Sequence, residues 1–172
     1  MMNDFEAVAM ALRYPGPGRL QELQKTWEAL PGGPVRRHLL KFFEEIEQLS
    51  VAGWEELHTR TLDLAPIFAP YVGFAIWGEN YQRGEFMAAV KVAQEAIGID
   101  LHGELPDHLE PVLRYLAATD QPFPGLIEVF PQAVSKMRKT LKDAEADNAY
   151  RHVLAAAAEA AERLEVPVGG AG

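Results

Sequence analysis

Residues 103–115 read GELPDHLEPVLRY, and this stretch decides what kind of chain this is. Asp107 followed by Glu110 has the spacing of a capping box, so Asp107 is expected to accept from the free amides of a new helix. Pro106 keeps Leu105 out of the helical region, and Pro111 falls in the first turn, where a missing amide proton costs least. Leu109, Val112, Leu113 and Leu116 then step by three and four, the mark of a helix with one buried face. His108 falls in the first turn, beside the positive end of the helix dipole, which favours a neutral ring over imidazolium. Two readings of His108 stand side by side, a packed neutral histidine and a contact for a bound peptide. For Asp107, capping ranks ahead of ligand contact, and neither excludes the other.

The same period runs outward in both directions. Toward the N-terminus, Asn3 or Asp4 caps a helix with Phe5, Val8, Ala9 and Leu12 inward. Further helices are predicted over 19–30, with Leu20, Leu23, Trp27 and Leu30 on one side, and over 35–49, with Leu39, Phe42, Phe43, Ile46 and Leu49 inward. Ser50 caps another over 51–64. The stretch 66–78, PIFAPYVGFAIWG, reads as one broken or bent helix, buried for most of its length. A helix from Tyr81 or Gln82 to Ile97 buries Phe86, Met87, Val90 and Ile97 and stops at Gly98. Toward the C-terminus, a turn at 121–125 precedes a short helical piece to Phe130. Pro131 then opens a new helix carrying Val134, Met137 and Leu141. An alanine-rich helix over 147–164 closes the fold. No alternating run and no hairpin signal appears. The expectation is an all-α, single-domain bundle of about eight or nine helices over residues 1–166, with 167–172 a disordered tail.

Composition narrows the function. The 172 residues carry a net charge of −9, which argues against nucleic acid and against anionic membrane surfaces. There is no cysteine, hence no disulfide, thiolate metal site or cysteine nucleophile. No signal peptide and no apolar run of bilayer length is legible, so the chain reads as cytoplasmic, without stable membrane insertion. Glu55 and His58 make one Glu-x-x-His without the second copy a di-iron bundle needs. His102 and His108 lack a third ligand of zinc spacing. Neither a serine elbow nor a phosphate-cradling glycine loop is present. The expectations are no enzyme, no cofactor and no metal.

One further candidate site is aromatic. Tyr71, Phe74 and Trp77 step by three, which places them on one helix face. Core is the plainer reading, above all for Phe74. Tyr71 and Trp77 carry polar handles beside glycines, which suits a groove for an apolar peptide. Arg83 reads as a helix-start ion pair with Glu79 or Asp63.

Several of these stretches together resemble a known family. His58-Thr59-Arg60-Thr61-Leu62-Asp63-Leu64 is similar to Y-T-x-T-F-D-L. Gly73-Phe74-Ala75-Ile76-Trp77-Gly78-Glu79 through Tyr81-Gln82-Arg83-Gly84 is similar to G-x-H-L-F-G-E…Y-x-R-G. Glu104 to Leu109 matches E-L-P-D-H-L without a gap, and 148–152, NAYRH, echoes N-P-Y-R-H. These are motifs of the molybdoenzyme maturation chaperones, the family of NarJ (the nitrate reductase delta subunit), TorD and DmsD. The order and spacing hold from about residue 8 to 155. Leu62, Trp77, Ala75, His58 and Ala149 depart from the pattern, mostly by apolar exchanges that a helical core tolerates.

The resemblance implies a system-specific chaperone. Such a protein binds the N-terminal segment of a molybdopterin-containing oxidoreductase catalytic subunit, sometimes a twin-arginine leader, and assists cofactor insertion, assembly and export control. By matching position it nominates Pro106, Asp107 and His108 for peptide binding. Trp77 and Phe74 are weaker nominees, and Tyr71, Glu104 and Arg83 complete the candidate set. An acidic chain suits a leader bearing arginines. The alternative is a structural (delta) subunit or helical adaptor retained in a respiratory complex. Monomer and homodimer both fit an alanine-rich final helix.

Overall fold

The computed structural model describes residues 2–64 and 66–164. Among these the chain is all-helical. Its elements are α1 (Asp4–Ala11), α2 (Arg19–Glu28), α3 (Pro34–Ile46), α4 (Val51–Leu62), α5 (Val72–Trp77), α6 (Tyr81–Ala96), α7 (Leu109–Ala118), α8 (Pro124–Ala144) and α9 (Tyr150–Ala161). The tail expected to be disordered, 167–172, lies outside the described residues.

Local chemistry accounts for the helix ends. The Asn3 side chain accepts from the Phe5 amide at 2.7 Å and opens α1. Ser50 accepts from Gly53 at 3.0 Å and opens α4. Asn80 accepts from the Gln82 and Arg83 amides and opens α6. Pro34 and Pro124 stand at the first positions of α3 and α8, where their fixed φ suits a helix. Gly98 follows α6 at φ +75°, a left-handed conformation that only glycine adopts freely.

The apolar faces meet in one core. α3 packs on α9, α1 on α7, and α8 on both α9 and α5. Leu39 and Phe42 of α3, Val8 of α1, Leu113 of α7, Phe130 of α8 and Leu154 of α9 are fully buried. Each such side chain contributes about 1.5–3 kcal/mol of transfer free energy. The small side chains of α9, Ala156, Ala157 and Ala160, are also fully buried, so its alanine face is occupied within the chain.

Polar ties inside this core join distant motifs. The Asn148 amide donates to the Thr61 hydroxyl at 2.9 Å, and its carbonyl oxygen accepts from the Tyr150 amide at 2.9 Å. The Trp54 indole donates to the Tyr150 hydroxyl at 3.1 Å. Burial of a polar group costs little when its partners are in place.

Several expectations need correction. The helices expected over 19–30, 35–49, 51–64 and 147–164 are all shorter. Leu49 and Ile97, read as inward, are 41% and 42% exposed, because each lies past the last turn of its helix. The 66–78 stretch is not one bent helix. Its first part is a non-helical approach, and only Val72–Trp77 is helical. Pro131 does not start a helix but lies within α8, which continues to Ala144. The apolar stripe explains this. Leu126, Phe130, Ala133, Val134, Met137 and Leu141 are all buried and keep step across the proline. Tertiary burial of that stripe outweighs one missing hydrogen bond.

Pro131 is solvent-exposed, so it contributes little packing. A proline inside a helix costs ~3 kcal/mol relative to alanine. Pro131→Ala is therefore expected to raise the urea unfolding midpoint, with a gain of about 1–3 kcal/mol. A midpoint that does not move would show that α8 already accommodates the proline without strain.

Candidate functional site

The site is built on the loop between α6 and α7. After Gly98 the chain reverses through His102 and Gly103, both at positive φ (50° and 81°), and the Asp100 side chain accepts from the His102 amide at 2.8 Å. The loop then runs back along the segment ahead of α5. The Val72 amide donates to the Asp107 carbonyl at 2.8 Å, and the Leu109 amide to the Pro70 carbonyl at 2.8 Å. Tyr71 and His108 thus face each other as an isolated antiparallel pair. From α6, the Gln94 side chain donates to the Pro106 carbonyl at 2.9 Å.

Asp107 locks this arrangement. Its carboxylate has no exposed surface. It accepts from Arg83 Nε at 3.0 Å and Nη2 at 3.2 Å, and from the Gly73 amide at 3.1 Å. The close approach requires glycine. A Cβ at Gly73 would lie 2.8 Å from Asp107 Oδ2, 3.0 Å from Arg83 Cγ and 3.1 Å from a Phe86 ring carbon. The Arg83 guanidinium lies 5.3 Å from the Tyr71 ring centre and 5.5 Å from that of Phe74, within cation–π range of both.

Two expectations change here. Asp107 does not cap α7. His108 is the cap residue, and its Nδ1 accepts from the Glu110 amide at 3.1 Å. The buried pairing with Arg83 draws the Asp107 carboxylate inward, away from the helix start. The partner of Arg83 is accordingly Asp107, not Glu79 or Asp63.

In front of this support lies a cleft of about 760 Å³. Tyr14, His58, Leu62 and Pro70 line one part of it, and Tyr71, Glu104 and His108 another. The Tyr71 hydroxyl donates to Glu104 Oε1 at 3.0 Å, and its ring meets the His108 ring edge-on at 5.1 Å. Burial and the neighbouring Glu104 carboxylate push the Tyr71 pKa up to about 12, so the hydroxyl stays a donor. Because His108 Nδ1 accepts, the neutral ring carries its proton on Nε2. Burial lowers the His108 pKa, against the opposing pull of Glu104, Glu110 and Asp107. His58 is buried, with Nε2 3.1 Å from the Leu12 carbonyl oxygen, and burial lowers its pKa too.

Of the eight nominated residues, the cleft gathers Tyr71, Glu104 and His108. Asp107, Arg83 and Pro106 stand behind them as supports. Phe74 is half-buried and lines a separate depression with Phe68, Ala75 and Met137. Trp77 packs on Phe86 at 5.2 Å between ring centres and lies outside the cleft. The three helix-spaced aromatics therefore do not form one face, because Tyr71 precedes the helix as its cap residue. Tyr14 and Arg13, at the end of α1, were not foreseen; nothing in their local sequence marks them. Nor is the cleft simply acidic, since Arg13, Arg19 and Arg114 balance Asp63, Glu104 and Glu110. Arg114 is tied to Glu110 at 2.7 Å and Arg19 to Glu22 at 2.7 Å. Asp63 and Glu104 pair with no lysine or arginine among the described residues.

Truncating Asp107 leaves Arg83 unpaired in a largely buried place. Asp107→Ala is expected to cost about 3–5 kcal/mol in chemical denaturation. Gly73→Ala is expected to cost about 1–3 kcal/mol through overpacking. The double variant Asp107→Ala/Arg83→Met should lose less than the sum of its single changes.

Stability should also depend on pH through His58. The unfolded ring titrates near 6.5 and the folded ring lower, so the unfolded chain takes up the proton first. The His58 contribution is complete above the unfolded value and is lost as pH falls toward the folded one. The urea midpoint is expected to drop between about pH 7.5 and 5.5, and His58→Gln to remove part of that slope.

Among the described residues no helix is long and apolar enough to cross a membrane, and no group of three or more His, Asp or Glu is placed to hold a metal. No family model matches the chain. The chain is 30% identical over 164 residues to the probable nitrate reductase molybdenum cofactor assembly chaperone NarJ of Bacillus subtilis (strain 168), a match covering 90% of this chain and 88% of that one. With an all-helical fold and a likeness running nearly end to end, the chain belongs to the NarJ family of nitrate reductase molybdenum cofactor assembly chaperones.

Proposed function

We propose that this protein is an assembly chaperone for a molybdopterin-containing oxidoreductase, and that it captures the N-terminal segment of the catalytic subunit in the cleft in front of Asp107. The observation that carries the reading is where the Glu104–Leu109 motif falls. Its polar side chains divide the work. Asp107 points inward and anchors the loop, while Glu104 and His108 line a cleft of about 760 Å³.

The chemistry of the cleft suits such a segment. Tyr71, Pro70 and Leu62 supply apolar surface for the hydrophobic part of a leader, a peptide about one to two dozen residues long bound in part as a helix. Asp63 and Glu104 supply carboxylates for its arginines. Neutral His108 offers Nε2–H as a donor to a peptide carbonyl. Asp107 and Arg83 act through the loop as positioning residues. The cytoplasm, where an unfinished catalytic subunit is found, is the compartment this role requires.

Calorimetric titration with the N-terminal peptide of the organism's own molybdoenzyme catalytic subunit tests this. Binding in the micromolar range is expected. Tyr71→Ala and Glu104→Ala are each expected to weaken it about tenfold, the equivalent of ~1.4 kcal/mol. Trp77→Ala, outside the cleft, should leave it within about twofold. No heat with the peptide tens of times in excess, or an equal loss at Trp77, would place capture elsewhere.

A further inference from the structure

A second cavity, of about 540 Å³, lies where α3, the C-terminal half of α8 and the start of α9 meet. Lys41, Arg138, Lys139, Lys142 and Arg151 line it, together with His38 and His152. Five of the chain's 16 lysines and arginines thus line one groove, and no carboxylate does, in a protein with 25 acids. It shares no lining residue with the cleft.

Part of this charge is neutralised from the edges. Arg151 pairs with Glu45 at 2.9 Å, Lys139 with Asp143 at 2.6 Å, and Glu159 faces His38 at 3.9 Å. His152 also meets Glu45. Lys41, Arg138 and Lys142 have no carboxylate at ion-pair distance among the described residues. Their mutual repulsion stabilises nothing in the fold. The histidines register the same field. Burial lowers the pKa of His38, Glu159 pulls it back up, and Lys41, His152 and Arg138 lower it further.

The shape of the donors indicates which anion fits. A phosphate cradle uses converging backbone amides. Here the first amides of α9 are already taken. Tyr150 donates to the Asn148 side chain, Arg151 to the Asn148 carbonyl and His152 to the Ala149 carbonyl. What faces the groove is long basic side chains around the small apolar residues Ala146 and Ala155. That combination matches a peptide alternating carboxylates with apolar side chains.

We propose that this groove is a second docking surface, taking a carboxylate-rich segment of a partner protein independently of the cleft. The probe is a fluorescein-labelled peptide of alternating glutamate and leucine, about a dozen residues long, with its lysine–leucine counterpart as control. Anisotropy on the full chain should show saturable binding of the acidic peptide alone, weakening steeply as salt is raised. The triple variant Lys41→Glu/Arg138→Glu/Lys142→Glu should lose about eightfold or more, as the product of about two- to fivefold per cation. The same variant should bind the catalytic-subunit peptide as the parent does, if that peptide occupies the cleft. Should the triple variant fail a circular-dichroism check, the single variants give the same reading at about two- to fivefold each. No saturable binding, equal binding by the variants, or preference for a single-stranded oligonucleotide of equal charge would each overturn the proposal.

Discussion

Asp107 holds a negative charge where no water reaches it, and the candidate site depends on how that charge is satisfied. An isolated carboxylate in such a place is prohibitively costly. Two guanidinium hydrogen bonds from Arg83 and one from the Gly73 amide replace its hydration. The three residues come from three separate stretches, α5, α6 and the loop before α7. Satisfying one charge therefore docks the loop on both helices at once. The loop's outward residues, Glu104 and His108, take their places in the cleft as a result. Gly73 is part of the same constraint, since any side chain there would occupy the space the carboxylate needs.

Several motif residues that carry the family likeness turn out to be internal ties. Thr61 bonds Asn148, which joins the end of α4 to the start of α9. Arg60 reaches Glu145 from the same turn, and His58 reaches back to Leu12 at the end of α1. Arg83, Gly73 and Asp107 form the other tie. Two separate pairs of motifs, distant in sequence, are thus each closed by a buried or half-buried polar contact. Such contacts are sensitive to substitution, because removal of one partner strands the other. The exposed chemistry is carried by fewer residues, with Tyr71, Glu104 and His108 foremost. The charge distribution is uneven as well. The chain is acidic overall, yet the groove between α3, α8 and α9 is lined by five lysines and arginines and by no carboxylate.

Much of the helical plan was legible in local pattern. Asn3, Ser50 and Gly98 mark helix ends by chemistry that acts within four residues, and the apolar steps of α3 and α8 name their buried faces. The misreadings have a common cause. Pro131 carries a strong local signal to begin a helix, yet buried residues on both sides hold α8 continuous through it. The 66–78 stretch looks helical by composition, but its first half is committed to backbone pairing with a loop more than thirty residues away. Asp107 fits a capping box by spacing, yet a distant guanidinium competes for the same oxygens and takes them.

The sequence by itself determined the helices, most of the core, the absence of cysteine chemistry and the motif that marks the family. The first three follow from short-range periodicity, capping or composition, and the last from a likeness in the order of residues itself. Only the tertiary structure decided which nominated residues share a cleft and which brace it. It also added Tyr14 and Arg13, and gathered scattered lysines and arginines from three helices into one groove. The reason is physical. Whether a side chain faces solvent or a partner depends on which distant group satisfies its charge, and no local spacing encodes that choice.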